Sequence, residues 1–295
     1  MLADGDVVAL PVPGWMRPPI GTMVAKLRGP RVRAAYRRIG GGSPILDITL
    51  AQAGLLEAEL RRRGHDATVA VAMRYTQPDT RAAVGRLITA GAQRLVLLPL
   101  YPHYSFATTG SSEMELLRAI SEMGPDLPLT VVRTWHDHPS YLDLQTRVVA
   151  ETVDDLPPRE RTGAAVVFSA HGLPRSLVRR GDPYPAEIER TVAAIVDRSP
   201  HPIHARIGFQ SRSGPLGWIG PGTGEVIADL GREGREHVVV VPISFVSDHL
   251  ETLHEADIVL REIAVRSGIE HFHRVPVLND RPEVGPMLAD IVERS

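Results

Sequence analysis

Short runs of apolar and β-branched residues alternate along the chain with longer segments that carry helical periodicity. The short runs are nearly continuous in apolar residues, a pattern typical of strands covered on both faces, as in parallel sheets. Strands are predicted at residues 7–12, 67–73, 94–100, 164–169, 205–209 and 237–243. Helices are predicted at residues 49–63, 112–122, 141–153, 187–198 and 223–232. The alternation predicts an α/β fold with a mostly parallel sheet.

The two halves of the chain are similar to each other. VVALPVPG, which begins at residue 7, is similar to VVFSAHGLP, which begins at residue 166. LVLLPLYPHYS at residue 95 is likewise similar to VVVVPISFVSD at residue 238. We therefore predict two doubly wound lobes, residues 1–150 and 151–295, joined near the polar, proline-containing residues 154–161. The alternative is a series of βα units that repeat without duplication.

Composition excludes several classes of protein. The 295 residues include no cysteine, so disulfides, thiolate zinc sites and cysteine-held iron–sulfur clusters are excluded. The formal net charge of -2 at pH 7 provides no basic excess for nucleic acid. The longest apolar run, residues 238–246, is about half of the ~20 residues that a membrane-spanning helix needs. Residues 1–6 do not resemble a secretory signal, so the cytoplasm is the expected location.

Residues able to bind or react cluster in the loops that follow the predicted strands. Ligands of open α/β sheets bind at the carboxyl edge of the strands, where these loops meet. The sequence therefore predicts a large aromatic cleft that carries Arg and His side chains from both halves. The residues at or just past the strand ends are Arg74, Tyr75, Tyr101, His103, Tyr104, His171, Gln210, Arg212, Phe245, Asp248 and His249.

His171 and the acidic residues after the last strong strand each allow two interpretations. An imidazole at a strand tip suits proton transfer near neutral pH, but a lone histidine often only bonds loop backbone. In a helix that starts near Asp248, Glu251 and Glu255 lie along one face, where carboxylates relay protons or divalent cations. Asp248 and Glu251 equally have the spacing of a capping box, which stabilises a helix start without chemistry.

A basic group precedes the glycine turn at residues 40–42. Guanidinium groups beside such a turn suit the capture of carboxylate or phosphate, and the alternative is a solvated helix face. A P-loop is excluded because no Gly-Lys-Ser/Thr follows the glycines. The group consists of Arg28, Arg31, Arg33, Arg37 and Arg38.

Seven segments carry a resemblance to a known family. They are YRRIGGGSPI at 36–45, AMRYTQP at 72–78, LPLYPHYSFATTGSS at 98–112, FSAHGLP at 168–174, VRRGDPYP at 178–185, GFQSRSGPLGWIGP at 208–221 and PISFVSDHLETLHEAD at 242–257. Together they resemble the ferrochelatases, the enzymes that insert ferrous iron into a porphyrin to make haem. Any one segment is a weak match, but seven in family order over about residues 20–290 are highly specific.

The resemblance implies two similar Rossmann-like lobes of the chelatase type with a porphyrin cleft between them. It implies that His171 takes a pyrrole proton or contacts iron, and that Glu251 is the opposing carboxylate. Asp248, His249 and Glu255 match a polar line that relays protons or metal along the following helix. The residues implied to bind or enclose the porphyrin are Arg28, Arg31, Tyr36, Ser43, Arg74, Tyr101, Trp218 and Phe245.

The same resemblance implies porphyrin and ferrous iron as substrates and no tightly bound cofactor. It leaves open whether the porphyrin is protoporphyrin or coproporphyrin, although the TTGSS stretch at 108–112 weakly favours the protoporphyrin-using relatives. Peripheral membrane contact and the oligomeric state are also left open.

This chain departs from the family pattern near its first predicted strand. The segment after this strand is shorter than the corresponding segment of the family, which forms a lip. Val12 stands near a position that often carries Met or Tyr in the family. A valine cannot ligate metal, so a metal route through that position is in doubt.

Two other functions stay open. One is a chelatase that loads cobalt or iron into sirohydrochlorin with paired histidines, and the other is a tetrapyrrole-binding protein without catalysis.

Overall fold

The computed structural model describes residues 17–124, 127–212 and 217–295, and its helices and parallel strands confirm the α/β class. The strands are β1 (Leu95–Leu97), β2 (Leu129–Val131), β3 (Ala165–His171), β4 (His204–Gln210), β5 (His237–Val241) and β6 (His271–Arg274). The helices are α1 (Arg17–Arg38), α2 (Ile45–Arg62), α3 (Thr80–Thr89), α4 (Ser111–Met123), α5 (Pro139–Asp154), α6 (Pro158–Gly163), α7 (Arg175–Arg179), α8 (Tyr184–Arg198), α9 (Thr223–Arg232), α10 (Leu260–Arg266) and α11 (Val284–Glu293). Two π-helical segments, Phe106–Gly110 and Glu251–Val259, lead directly into α4 and α10.

Every strand pairing in the described part of the chain is parallel. β1 pairs with β2, and the larger sheet has the order β4-β3-β5-β6. Successive residues of β3 enter different clusters: Phe168 packs in the larger core and Val167 in a second one. The central strands are therefore covered on both faces, which explains their unbroken apolar sequence. At the carboxyl end of the sheet, His171 is the register partner of Gln210.

The pairing register supports the repeat seen in the sequence. Leu95 pairs with Leu129 and His237 pairs with His271, so each pairing joins residues 34 positions apart. A ten-residue helix precedes each of these pairings, and a π-helical segment follows the first strand of each. These matched features favour two similar lobes. The boundary at residue 150 stays a prediction, because the buried core is continuous from α2 and α5 to β3.

Helix α2 connects the first half of the chain to the loop that follows β5. The Gln52 amide is buried and donates to the carbonyl oxygens of Val246 at 3.1 Å and Asn279 at 2.7 Å. Its own oxygen accepts a hydrogen bond from the Ser247 hydroxyl at 3.1 Å. α11 packs on α2. The Arg63 guanidinium, just after α2, links the two helices because it donates to the carboxylates of Asp290 and Glu293 in α11. The loop after β5 is thus held from both halves.

The structure differs from the sequence predictions in several elements. Residues 67–73 form no strand, and the Val69 N–H donates to the Glu57 carboxylate at 2.7 Å rather than to a neighbouring strand. The helix predicted to start at residue 49 begins four residues earlier, at Ile45. The predicted strand at 7–12, which includes Val12, lies outside the described residues.

None of the helices in the described ranges has the length and hydropathy needed to cross a bilayer.

Two helical glycines provide a test of how closely α9 and α10 pack. A Cβ on Gly231 would overlap the backbone carbonyl of Ser267, whereas a Cβ on Gly54 of α2 would meet open space. We expect Gly231→Ala to lower the free energy of unfolding by about 1–3 kcal/mol, because backbone must move to admit the methyl group. The matched Gly54→Ala should raise it by about 0.5–1 kcal/mol. Urea unfolding measures both, and equal stability of the two variants would contradict this packing.

Candidate active site

A large cavity lies at the carboxyl ends of the strands, as the sequence predicts. Its volume is about 1630 Å³, larger than the roughly 300–1,000 Å³ of pockets for drug-sized ligands. Its walls include α2 and the β1 region from the first half and the ends of β3 and β5 from the second. Of the predicted residues, those that line it are Arg74, Tyr75, Tyr101, His103, His171, Trp218, Phe245, His249 and Glu251.

His171 and Glu251 form one hydrogen-bonded pair on the cavity wall. His171 is the last residue of β3, and its backbone N–H donates to the Ser244 hydroxyl oxygen at 3.0 Å. Its Nδ1 lies 2.9 Å from a carboxylate oxygen of Glu251. Its Nε2 has no hydrogen-bond partner among the described residues, so the second nitrogen is available to a ligand in the cavity. The Glu251 carboxylate therefore directly contacts the His171 imidazole.

The pair is set up to carry opposite charges. Burial by itself would lower the pKa of His171, but the charge of Glu251, the hydrogen bond to it and the charge of Glu255 raise that pKa above 6.5. Burial also disfavours the ionised carboxylate of Glu251. The imidazoles of His171 and His249 nevertheless hold the pKa of Glu251 well below its ordinary 4.5. Each group thus stabilises the charged form of the other.

The hydrogen bonds at the start of this segment exclude the capping box for Asp248 and Glu251. In a capping box Glu251 would accept from the Asp248 N–H, but that N–H donates to the side-chain oxygen of Asn279 at 2.8 Å. The helix start is stabilised instead by Thr252, whose hydroxyl oxygen accepts from the His249 N–H at 3.0 Å. The Glu251 carboxylate is thereby left to His171.

Asp248 and Glu255 are both held by protein groups. Asp248 accepts hydrogen bonds from Thr252, from Arg274 at 3.2 Å and from Asn279 at 2.8 Å, and its side chain is only 13% exposed. Glu255 accepts from the backbone N–H and the hydroxyl of Ser211. Neither carboxylate lines the cavity. Only His249 of the predicted polar line reaches Glu251 directly, with 3.6 Å between Nε2 and the carboxylate oxygen.

Aromatic side chains surround the pair. The Phe245 ring lies edge-on to His171, with 6.3 Å between ring centroids, and 4.7 Å from the ring of His249. Tyr101 has its pKa raised by burial and by the charge of Glu251, against the opposite effect of Arg74. The Arg74 guanidinium lies 5.2 Å above the ring of Tyr75. This wall therefore combines aromatic rings with a guanidinium group.

Three residues implied to bind the porphyrin, Arg31, Tyr36 and Ser43, lie in or just after α1. Arg31 is exposed on α1, and Tyr36 is half-buried near the end of that helix. The Ser43 hydroxyl accepts weakly from the Ile45 N–H at 3.4 Å, at the start of α2. None of the three lines the large cavity. The Arg28 side chain lies outside the described part of the structure.

Two residues position the pair, and the sequence analysis identified only Gln210 of them, without this role. Ser244 fixes the backbone of His171, and the Gln210 amide donates to the backbone carbonyl of Glu251 at 3.2 Å. The Ser169 hydroxyl in turn donates to Gln210 at 2.6 Å. Gln210 was identifiable as a strand-end residue. Ser244 carried the same positional signal but no distinctive chemistry.

The fold belongs to the chelatase class. SirB from Bacillus subtilis with Fe3+ superposes with a TM-score of 0.58 at 15% identity, over 82% of this chain and 87% of that chain. A multi-domain protein from Deinococcus radiodurans, described as structurally similar to chelatases, superposes with a TM-score of 0.50 at 14% identity. It is covered over 50% of its length, and this chain over 83%. At such identities the likeness shows the fold alone.

Sequence comparison places the chain within that class. The family model described as Ferrochelatase matches residues 1–295. The ferrochelatase of Synechococcus sp. (strain RCC307) is 43% identical over 298 residues, covering 100% of this chain and 76% of the relative. That of Synechocystis sp. is 42% identical, covering 99% of this chain and 76% of the relative. The chain belongs to the ferrochelatase family.

The charge coupling in the pair predicts how His171 titrates. We expect its imidazole to titrate above pH 6.5 in the wild type, because the carboxylate favours the protonated form. In Glu251→Gln it should titrate below pH 6.5, because burial then acts without the compensating charge. Glu255→Gln is the matched control, with a smaller downward shift. NMR of the ring protons measures all three midpoints. An unchanged midpoint in Glu251→Gln would contradict the coupling.

Proposed function

We propose that this protein is a ferrochelatase that inserts Fe(II) into a porphyrin, with release of two protons, as a step of haem biosynthesis. Membership of the family over the whole chain supports the reaction class. The single observation that carries the assignment to a site is the pair of His171 and Glu251 on the wall of a large cavity. The remaining assignments follow from what surrounds that pair.

His171 is the proposed acceptor of a pyrrole proton. When Nδ1 carries the hydrogen that Glu251 accepts, Nε2 holds the lone pair and can take a proton from a ring nitrogen in the cavity. The imidazolium formed is stabilised by the ionised carboxylate 2.9 Å away. The charges of Glu251 and Glu255 raise the pKa of His171 and so make its imidazole a stronger base. Glu251 is therefore the partner that makes His171 an effective base.

The same arrangement suits transient contact with ferrous iron. Histidines that ligate metals commonly bond a carboxylate through their other nitrogen, which fixes the ring and raises its basicity. Fe(II) accepts imidazole and carboxylate ligands, so Nε2 of His171 and a free oxygen of Glu251 are the proposed contacts. Two protein ligands leave the remaining positions open, and the metal can pass to the four nitrogens of the tetrapyrrole. Iron is here a substrate, not a resident cofactor.

The proposed relay for the released protons runs through His249. Its Nε2 faces the Glu251 carboxylate at 3.6 Å, and its Nδ1 is tied to the Ser247 carbonyl oxygen at 3.0 Å. Glu255 contributes its charge, which favours protonation of His171. Asp248, bonded to Arg274 and Asn279, anchors the start of the segment. We therefore propose that Asp248 positions this segment and that Glu255 acts through its charge.

The walls are proposed to hold and bend the macrocycle. Tyr101, Trp218 and Phe245 offer surfaces to its faces, and Arg74 lies at the edge of the cavity. Clamping the periphery while the centre is pushed out of plane exposes the nitrogen lone pairs, a distortion driven by remote binding. Arg28, Arg31, Tyr36 and Ser43 remain proposed propionate contacts, which requires α1 to border the bound porphyrin. Thr108 and Ser112 of the TTGSS stretch also line the cavity.

The native porphyrin and the location are finer proposals. The TTGSS stretch supports protoporphyrin over coproporphyrin as the ring that is metalated. We also propose the cytoplasm as the compartment.

An insertion assay on the full chain tests the function. Wild-type protein should metalate protoporphyrin or coproporphyrin with Fe(II) or Zn(II). His171→Ala should lose at least about 100-fold of that rate, the lower range of a general base, while fluorescence still reports porphyrin binding. His201→Ala, which removes a surface imidazole paired with Asp154, is the matched control and should stay active.

The other outcomes of the assay would change either the assigned function or the role of His171. Tight porphyrin binding without turnover by the wild type would make it a tetrapyrrole-binding protein. Turnover of sirohydrochlorin alone would make it the other type of chelatase. Retention of more than about a tenth of the rate in His171→Ala would contradict the general-base role.

Glu251 separates the loss of charge from the loss of shape. Glu251→Gln keeps the size of the side chain but removes the negative charge, so insertion should fall by at least about 100-fold. Glu251→Asp keeps the charge on a shorter side chain and should retain more activity than Glu251→Gln. Melting temperatures should move little in both, since Thr252 caps the helix start. A fully active Glu251→Gln would overturn the role of this carboxylate.

A further inference from the structure

The edge of the larger sheet that faces away from the cavity carries a second group of histidines. His237 is the first residue of β5, His271 is the first residue of β6, and the two are register partners. His273 lies two positions further along β6 and therefore on the same face as His271. Because the strands are parallel, these amino ends lie at the opposite edge from His171.

One carboxylate from α6 approaches all three imidazoles. An oxygen of Glu160 lies 3.8 Å from Nδ1 of His237, 3.8 Å from Nδ1 of His271 and 3.4 Å from Nε2 of His273. The side chains of Glu160 and His237 are only 15% and 14% exposed. The rings of His237 and His271 are stacked, with 4.5 Å between centroids, so both Nδ1 atoms face the same oxygen.

These separations are those of ligands around an ion. N–H···O hydrogen bonds span about 2.7–3.2 Å, so these contacts are too long to be hydrogen bonds. A tetrahedral metal about 2.0–2.2 Å from each nitrogen and oxygen holds neighbouring ligand atoms about 3.3–3.5 Å apart. The ligand atoms of Glu160, His237 and His271 all lie within 4.8 Å of one another. His273 lies outside this group, and its imidazole, already 3.4 Å from the Glu160 oxygen, must turn toward the other two histidines to become the fourth ligand.

Two of the imidazole nitrogens are buried without a hydrogen-bond partner in the described part of the structure. Within the described ranges, Nδ1 of His237 and Nε2 of His273 have no hydrogen-bond partner. Buried polar atoms are almost always paired, because leaving one unpaired costs free energy. A cation bound beside Glu160 would satisfy both nitrogens at once.

We propose that Glu160, His237, His271 and His273 bind one divalent transition-metal ion, separate from the site where porphyrin is metalated. Imidazole with one carboxylate suits Zn²⁺, Co²⁺, Ni²⁺ and Fe²⁺, whereas Mg²⁺ and Ca²⁺ prefer oxygen ligands. Four protein ligands fill the coordination of a structural site and leave no open position for catalysis. The ion joins α6 to β5 and β6 and stabilises the second half of the chain.

Metal counting on the full-length, tag-free protein tests the site. Protein stripped with a chelator is titrated with Zn²⁺ and analysed for bound metal after desalting. We expect the wild type to retain one equivalent more than His271→Ala. We also expect Glu160→Gln, which keeps the side-chain shape, to weaken binding by at least about 100-fold, because loss of an outer partner alone costs 10–100-fold. His204→Ala, an exposed histidine that begins β4, is the matched control and should keep the equivalent.

Two further measurements separate this site from the cavity and from a folding defect. The difference between wild type and His271→Ala should persist when both carry His171→Ala. Zn²⁺ should raise the melting temperature of the wild type and not that of Glu160→Gln, since a ligand stabilises only the state that binds it. Equal metal content in wild type and Glu160→Gln, or loss of all bound metal in His171→Ala alone, would overturn the proposal.

Discussion

A hydrogen bond between an imidazole and a carboxylate that arrive from different strands is the constraint on which the site depends. His171 is fixed by the central strand β3, whereas Glu251 comes from the segment after β5, and their atoms meet at 2.9 Å. A charged group that is half-buried is stable only if a partner compensates the lost hydration. The contact therefore requires that both backbones be held in place, and the surrounding polar bonds provide this.

Those bonds come from both halves of the chain. Ser244 and Gln210 fix the backbones of His171 and Glu251, while Asn279 and Arg274 hold Asp248 at the start of the segment. Gln52 reaches the same loop from α2 in the first half. The cavity and the pair of His171 and Glu251 therefore form only when the two halves are assembled. This explains why α2, far from Glu251 in sequence, contributes to the geometry of the site.

The sequence predicted the strands of the second half well, because β3 and β5 are covered on both faces and read as unbroken apolar runs. It could not place Glu251 beside His171, since the capping-box and catalytic interpretations share one spacing. The choice depends on a side-chain bond from Asn279, which is distant in sequence. β6 escaped prediction because its four residues, HFHR, include only one apolar side chain and are too few to show a hydrophobic period. Its histidines at 271 and 273 gained meaning only beside Glu160. The strand predicted at residues 67–73 is not formed, and the Val69 N–H donates to the Glu57 carboxylate instead of to a neighbouring strand.

The location of bound porphyrin relative to His171 tests the central claim most directly. A crystal structure of the protein with a metal-free porphyrin should place a ring nitrogen within about 2.6–3.2 Å of Nε2 of His171, or one water away, with Glu251 still bonded to Nδ1. A macrocycle bound elsewhere, with Nε2 of His171 facing solvent, would contradict the account.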